Sequence, residues 1–293
     1  MPPSQPNIRI LLPGDQPALE AFLQQHLETS LFLLSNMRQA GLVDTGQRFE
    51  GTYAAAFEGE AVAGVVALFW NGGLIYQAPN YLPALQDAVR IATNRPIKTL
   101  LGPFDQVATG LDALGAWVQV HMDDPQVLFG LRLADLAVPE PLQTGAVHAR
   151  VLTAADTPVL AQWRAASRME SFLEPDTAEL WEEARDSVER YLASKRQWVL
   201  EADGKLVSTC TFNAEIREVV QVGGVYTPPE ARSRGYARIV VAAALLDARA
   251  EGAGTAILFT DDDNRPAQKA YQAIGFQPIG DYRIVLVLSL IHI

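Results

Sequence analysis

Apolar and polar positions alternate over residues 8–12, which predicts a short strand, and Asp15 with Pro17 then opens a helix carrying Leu19, Phe22 and Leu23 on one face. A second helical stretch over residues 31–37 stops near Gly41. Residues 51–57 and 61–70 flank the turn Glu58-Gly59-Glu60 and predict a hairpin. Residues 73–79 read as a strand, 83–92 as a helix and 97–101 as another strand, after which Gly102-Pro103 opens a loop before a helix around 107–114.

The order then repeats. Residues 147–152 form a strand, Thr153, or Asp156 with Pro158, caps a helix, and residues 178–193 make an amphipathic helix through Leu180, Trp181, Ala184, Val188 and Tyr191. Residues 198–202 and 206–213 form a hairpin about Asp203-Gly204, and residues 219–226 are a further strand. Gly-x-x-Tyr-x-x-Pro at Gly73, Tyr76 and Pro79 returns at Gly223, Tyr226 and Pro229, an offset of about 150 residues that predicts an internal duplication. The Pro-rich stretch 138–145 serves as a tether, so the expected domains are 1–144 and 145–287. Residues 288–293, Leu-Ser-Leu-Ile-His-Ile, match the translation of the transposon mosaic-end adapter CTGTCTCTTATACACATC and are expected to be a non-native tail, in which His292 has no role.

Composition narrows the function classes. A net charge of -11 disfavours nucleic acid and anionic membranes as partners, so any phosphate contact has to be local. The single cysteine, Cys210, rules out an intramolecular disulfide and fits a reducing compartment; its apolar run predicts core filler. No apolar run reaches spanning length and the N-terminus has no secretory pattern, which predicts a cytoplasmic protein, monomer or homodimer. His26, His121 and His148 lack ligand spacing, so no metal is expected.

The chemistry concentrates after the strand 219–226. Pro228 and Pro229 end its ladder, and Arg232-Ser233-Arg234-Gly235-Tyr236-Ala237 leads into an alanine-rich apolar helix. A helix's first turn leaves backbone N–H groups unpaired with the positive end of its dipole behind them, which suits an anion. Gly235 lets the main chain come close to a ligand, and Arg232 and Arg234 add charge-assisted hydrogen bonds of the kind a diphosphate takes. An ordinary strand-to-helix turn shares part of this pattern, and the Arg-x-x-Gly-x-Ala spacing favours the phosphate cradle.

At these residues the chain resembles the GNAT superfamily of acyl-CoA-dependent N-acyltransferases, whose pyrophosphate loop is Gln/Arg-x-x-Gly-x-Gly/Ala. A second element, Asn264 to Phe276 through Ala267, Tyr271 and Gly275, is similar to that superfamily's Asn-x-x-Ala-x-x-x-Tyr-x-x-x-Gly-Phe. The resemblance is specific over about residues 147–286 and faint before that, where Asn80-Tyr81-Leu82-Pro83-Ala84-Leu85 stands in place of the cradle.

It implies an α/β (α+β) fold of two GNAT-like domains, each a mixed, mostly antiparallel central sheet flanked by helices, the first degenerate. It also implies acetyl-CoA as cosubstrate, held by Val225, Tyr226, Thr227, Arg232, Ser233, Arg234, Gly235, Tyr236, Ala237, Asn264 and Ala267. Gly223 and Gly224 fit either a cofactor slot or a plain bulge, and Asn264 is an N-cap as well as a candidate contact. Arg238, Arg265 and Lys269 are solvated charges within reach of a further phosphate.

Acyl transfer to an amine requires a base, an oxyanion donor and an acid for the thiolate. The resemblance gives the acid role to Tyr271, whose other reading is a ring packed on a helix, and the oxyanion role to the backbone N–H of Val225 or Tyr226. The position where some relatives place a glutamate is Gln221, a poor base; Glu215 is taken as the catalytic carboxylate, with Glu218, Glu170 and Glu174 as other candidates and Asp261-Asp262-Asp263 as a solvated loop beside the slot. The expected function is acetyl transfer to a primary amine of a small molecule or peptide in a ternary complex. Alternatives are a non-catalytic acyl-CoA sensor and a Fem-like aminoacyl transferase, the latter opposed by the acidic balance.

Overall fold

The computed structural model describes residues 6–290, and contacts divide the chain into two compact units. In chain order the first unit contains β1 (Asn7–Ile10), α1 (Gln16–Gln24), α2 (Leu27–Ala40), β2 (Gly51–Glu58), β3 (Ala61–Phe69), β4 (Gly73–Gln77), α3 (Leu82–Thr93), β5 (Thr99–Pro103) and α4 (Phe104–Leu114). A long strand, β6 (Val118–Arg132), leads out of it. The second unit holds α5 (Glu140–Gln143), β7 (His148–Val151), α6 (Thr157–Phe172), α7 (Ala178–Ser194), β8 (Gln197–Ala202), β9 (Lys205–Glu215), β10 (Val219–Tyr226), α8 (Tyr236–Ala250), β11 (Thr255–Asp261) and α9 (Arg265–Gln272). The last strand is β12 (Gln277–Ser289).

The units run Met1–Leu128 with Gly280–Ile293, and Phe129–Ile279, which differs from a single division at 144/145. The reason is strand membership. In the first unit the sheet order is β1-β2-β3-β4-β5-β12, and the end of the chain pairs antiparallel with β5, Tyr282 opposite Pro103 through Leu286 opposite Thr99. In the second unit the order is β7-β8-β9-β10-β11, with the last residues of β6 beyond β11. Leu288 and Ser289, expected to be foreign tail, lie in β12, where the Ser289 hydroxyl donates to the Ile97 carbonyl at 2.8 Å; residues 291–293 lie outside the described residues.

Both units are therefore mixed, mostly antiparallel sheets flanked by helices, with β4–β5 parallel in the first and β10–β11 parallel in the second. β2 and β3 are buried along most of their length because helices cover both faces, which is why their Ala, Val and Phe run without polar alternation. α3 buries Leu82, Leu85, Gln86 and Val89 at helical spacing against this sheet. α8 buries Ile239 to Leu245 without interruption, the mark of a helix enclosed on all sides.

The duplication is visible in one local device. Arg9 and Asp15 form a bidentate pair with both bonds 2.6 Å, and Asp15 also accepts the Leu12 N–H that precedes the first helical turn. Arg150 and Asp156 repeat it at 2.6 and 2.9 Å, with the Thr153 N–H in the place of Leu12 and Glu201 as a second partner of Arg150. The guanidinium hydrogen bonds hold both aspartates down to about 2. The Gly-x-x-Tyr-x-x-Pro alignment is displaced, however: the rung Gly73–Thr99 corresponds to Val219–Thr255, so Gly73 matches Val219 and not Gly223.

Two further readings change. Residues 118–132, given no element from sequence, are a strand. Gly102 and Pro103 belong to β5, and α4 starts at once at Phe104. No helix among the described residues is long and apolar enough to cross a membrane.

Candidate active site

The site begins where a ladder stops. β10 and β11 are parallel for three rungs, Val219–Thr255, Val220–Ala256 and Gln221–Ile257, and then run on without pairing, β10 to Tyr226 and β11 to Asp261. Against β9 the register of β10 jumps between Gly223 and Tyr226, a bulge that leaves Gly224 and Val225 with no rung partner. Gly224 has φ of 55°, and a Cβ there would lie 2.6 Å from the Thr211 hydroxyl. Neighbouring side chains enforce the glycine as firmly as the backbone does.

The loop beyond β10 ends in Gly235, left-handed at φ 78° and the N-cap of α8. Among the described residues the backbone N–H groups of Arg234, Gly235, Tyr236 and Ala237 have no protein acceptor. Those four donors, at the positive end of a buried helix, meet the requirement for a diphosphate. Arg234 and Arg238 are exposed, and the guanidinium of Arg238 folds toward Gly235, where an added Cβ would meet it at 3.1 Å. Ser233, also left-handed at φ 62°, and the half-buried Thr227 complete the turn.

Arg232 has other partners. Its Nε donates to the Thr227 carbonyl at 2.9 Å and its Nη2 to Glu170 Oε2 at 2.6 Å, while Glu170 Oε1 accepts the Tyr226 hydroxyl at 3.2 Å. Burial first, then the Glu170 charge, pushes the Tyr226 phenol up. Asn264 is the N-cap of α9, its Oδ1 accepting the Ala267 N–H at 3.1 Å, so the capping role is the one seen. Tyr271 on α9 is buried with its ring against Phe276, and burial pushes its phenol up.

The carboxylates expected as bases separate. Glu215 sits opposite Val220, at the far end of β10 from Tyr226, and Arg196 holds it at 2.9 Å. Glu174 is bound through both oxygens by Arg168. Glu170 is the one bonded to Tyr226, at the end of the strand that leads to the cradle. Gln221 is buried with its Oε1 unbonded among the described residues. Asp261, Asp262 and Asp263 are exposed, with carboxylate oxygens within 4.8 Å of one another, and Cys210 is enclosed in the core.

Sequence reasoning missed a pocket on the other side of the bulge. It is roofed by Leu160, Trp163, Arg164 and Ser167 of α6 and Val188 and Tyr191 of α7, and floored by Gln197, Thr209, Thr211, Gly224 and Tyr226. The signal was present: positions 160, 163, 164 and 167 follow one helical face, so an arginine stood on the inward stripe.

The first unit has the same splay with its gap closed. β4 and β5 also pair for three rungs, ending at Ile75–Leu101. Beyond them Gly102 packs so closely on Tyr76 that a Cβ would lie 3.0 Å from its carbonyl oxygen, and Gln106 Oε1 accepts the Ala78 N–H at 2.6 Å. The Tyr76 hydroxyl is itself bonded to Gln86. The loop into α3 covers residues 78–81 against 227–235 in the second unit, carries no arginine and is capped by a left-handed tyrosine, Tyr81.

Two mixed sheets, each with a parallel pair that parts after three rungs, define a tandem GNAT-like fold in which the second unit keeps the phosphate loop. The family model described as acetyltransferase (GNAT) family matches residues 160–276, all within the second unit. No curated protein matches the chain. Among solved structures, a structural-genomics protein from Drosophila is similar at TM-score 0.66 and 16% identity, covering 95% of this chain and 98% of that one. A GCN5-related N-acetyltransferase from Sphaerobacter thermophilus is similar at TM-score 0.58 and 16% identity, covering 97% and 95%. A tandem GNAT protein from the clavulanic acid biosynthesis pathway is similar at TM-score 0.55 and 12% identity, covering 97% and 98%.

Proposed function

We propose that the second unit is an acetyl-CoA-dependent N-acetyltransferase that passes acetyl directly to a primary amine. The observation that carries this reading is the parting of β10 from β11 beside four unbonded N–H groups and the guanidinium groups of Arg234 and Arg238. Acetyl-CoA supplies the thioester, whose carbonyl carbon takes the amine nitrogen while the C–S bond breaks.

The chain supplies the rest. Arg234, Arg238 and the N-terminus of α8 hold the diphosphate, and the unpaired backbone of β10 lies along the pantetheine arm. Val225, without a rung partner in the bulge, offers its N–H to the developing oxyanion. The amine proton passes to the Tyr226 and Glu170 pair, since Glu170 is bonded to Tyr226 whereas Glu215 lies opposite Val220 at the other end of β10. Tyr271, kept neutral by burial, donates to the leaving thiolate.

Isothermal titration with acetyl-CoA and a free-thiol assay against a panel of amines test this reading. One site with thiol released by at least one amine supports it. Two equal sites, or binding with no release from any amine, overturn it, the second outcome describing a sensor.

A further inference from the structure

The pocket roofed by α6 and α7 holds an uncompensated charge. Arg164 faces it from α6, its Nε is buried with no hydrogen-bond partner, and no carboxylate or carbonyl is bonded to any of its nitrogens among the described residues. The nearby cation Arg168 is satisfied by Glu174 and Glu183, and the other acid at this end of α6, Glu170, is taken by Arg232 and Tyr226. Burial is the main cause lowering the Arg164 pKa, repulsion from Arg168 and Arg190 adds to it, and the attraction of Tyr191 and Glu174 opposes it without a hydrogen bond to the guanidinium.

Such an arrangement is costly in a resting protein. A guanidinium whose Nε is shut off from water and from any acceptor is unfavourable until something supplies the missing bond. A second polar atom in the same pocket is also unsatisfied: Gln197 spends its Nε2 on Thr209 at 3.0 Å, and its Oε1 is buried without a donor. The pocket thus presents one unpaired cation and one unpaired acceptor, with the Thr209 and Thr211 hydroxyls between walls of Leu160, Trp163 and Val188. Its remaining edge is Gly224 and Tyr226, the bulge and strand end where the thioester is placed.

We propose that this pocket binds the carboxylate of the acceptor, with Arg164 as its counter-ion, so that the amine acylated belongs to an amino acid or a similar amino carboxylate and not to a polyamine or a lysine side chain. The inference rests on the acyl-transfer reading for its second half only; the carboxylate site stands on the pocket itself. A guanidinium pairs a carboxylate through two parallel bonds, and the apolar walls exclude the water that would weaken the pair. The Gln197 oxygen takes an N–H of the same ligand.

The test uses the full chain without acetyl-CoA. Butyrate and 3-phenylpropionate are titrated calorimetrically beside their primary amides and the phosphonates of equal chain length. Carboxylates are expected to bind at least tenfold tighter than the amides, and Arg164→Gln is expected to erase that difference while Arg164→Lys keeps part of it. Equal affinity for carboxylate and amide, tighter binding of the phosphonate, or an unchanged preference in Arg164→Gln overturns the proposal. Should Arg164→Gln fail to fold, the wild-type contrast between acid and amide decides alone. Thiol release with neutral amines and none with amino acids sinks the acceptor assignment while sparing acetyl transfer, and absence of release with every amine sinks acetyl transfer while leaving the carboxylate site to the calorimeter.

Discussion

Arg232 and Glu170 meet at 2.6 Å, one from the phosphate loop and the other from the helix that roofs the acceptor pocket. On the proposed acetyl-transfer reading, a diphosphate arriving at the loop competes with Glu170 for this arginine while Glu170 keeps its bond to Tyr226, which would couple cofactor binding to base release. Glu170→Gln is expected to lower kcat by about 100-fold or more, the ordinary worth of a general base, without weakening acetyl-CoA binding. Glu215→Gln, which breaks the half-buried Arg196 pair, is expected to leave kcat within about twofold, because that pair lies at the end of β10 away from Tyr226. Steady-state kinetics on the two variants decide the assignment.

Gly235→Val removes the cradle in two ways. A β-branched residue at φ 78° is strained by about 1 to 2 kcal/mol, and its side chain displaces Arg238 from the loop. The melting temperature is expected to drop by a few degrees and acetyl-CoA affinity by at least about 100-fold, a disproportion that calorimetry and thermal melts on one sample would show.

In the first unit Gln106 does for the protein what a ligand would do, satisfying the Ala78 N–H from a side chain. Gln106→Ala leaves that donor bare and is expected to cost about 1 to 3 kcal/mol in urea unfolding while the acetyl-CoA stoichiometry stays at one. A second site appearing in the variant would mean that the gap is held shut by this residue alone.

Acid stability follows from Asp15 and Asp156, both depressed to about 2 by their arginines. A carboxylate whose folded pKa lies below its unfolded value contributes fully above about pH 4 and loses that contribution as the pH falls toward 2. Asp156→Asn is expected to destabilise by about 2 kcal/mol at pH 7 and by progressively less below pH 4, converging on the parent near pH 2. Denaturation midpoints taken across that range would reveal the convergence or its absence.

How much of this was legible beforehand depended on the range of the interaction. The loop 232–237 and the element 264–276 act through local backbone geometry, so residue type at fixed spacing was enough to find them. β6 was hidden because Asp123, Asp124 and Pro125 interrupt it with three residues that strands disfavour. The unit boundaries were hidden because pairing of 282–286 with 99–103 leaves no mark on either segment alone. Glu215 and Glu170 looked alike as charges, and only the fold shows one opposite Val220 and the other against Tyr226. Arg164 was overlooked for a related reason: a cation on a helix is normally solvated, and its burial is decided by what α7 and the sheet bring over it.

Consider finally what β12 means during synthesis. The strand that lies beside β5 follows the whole second unit in the sequence, so Thr99 to Pro103 wait uncovered until residues 282–286 have been made. An open strand edge of that kind invites association with other nascent chains, and a shielding chaperone would have to cover it in the interval. A premature stop anywhere before Tyr282 therefore damages the half of the molecule made first.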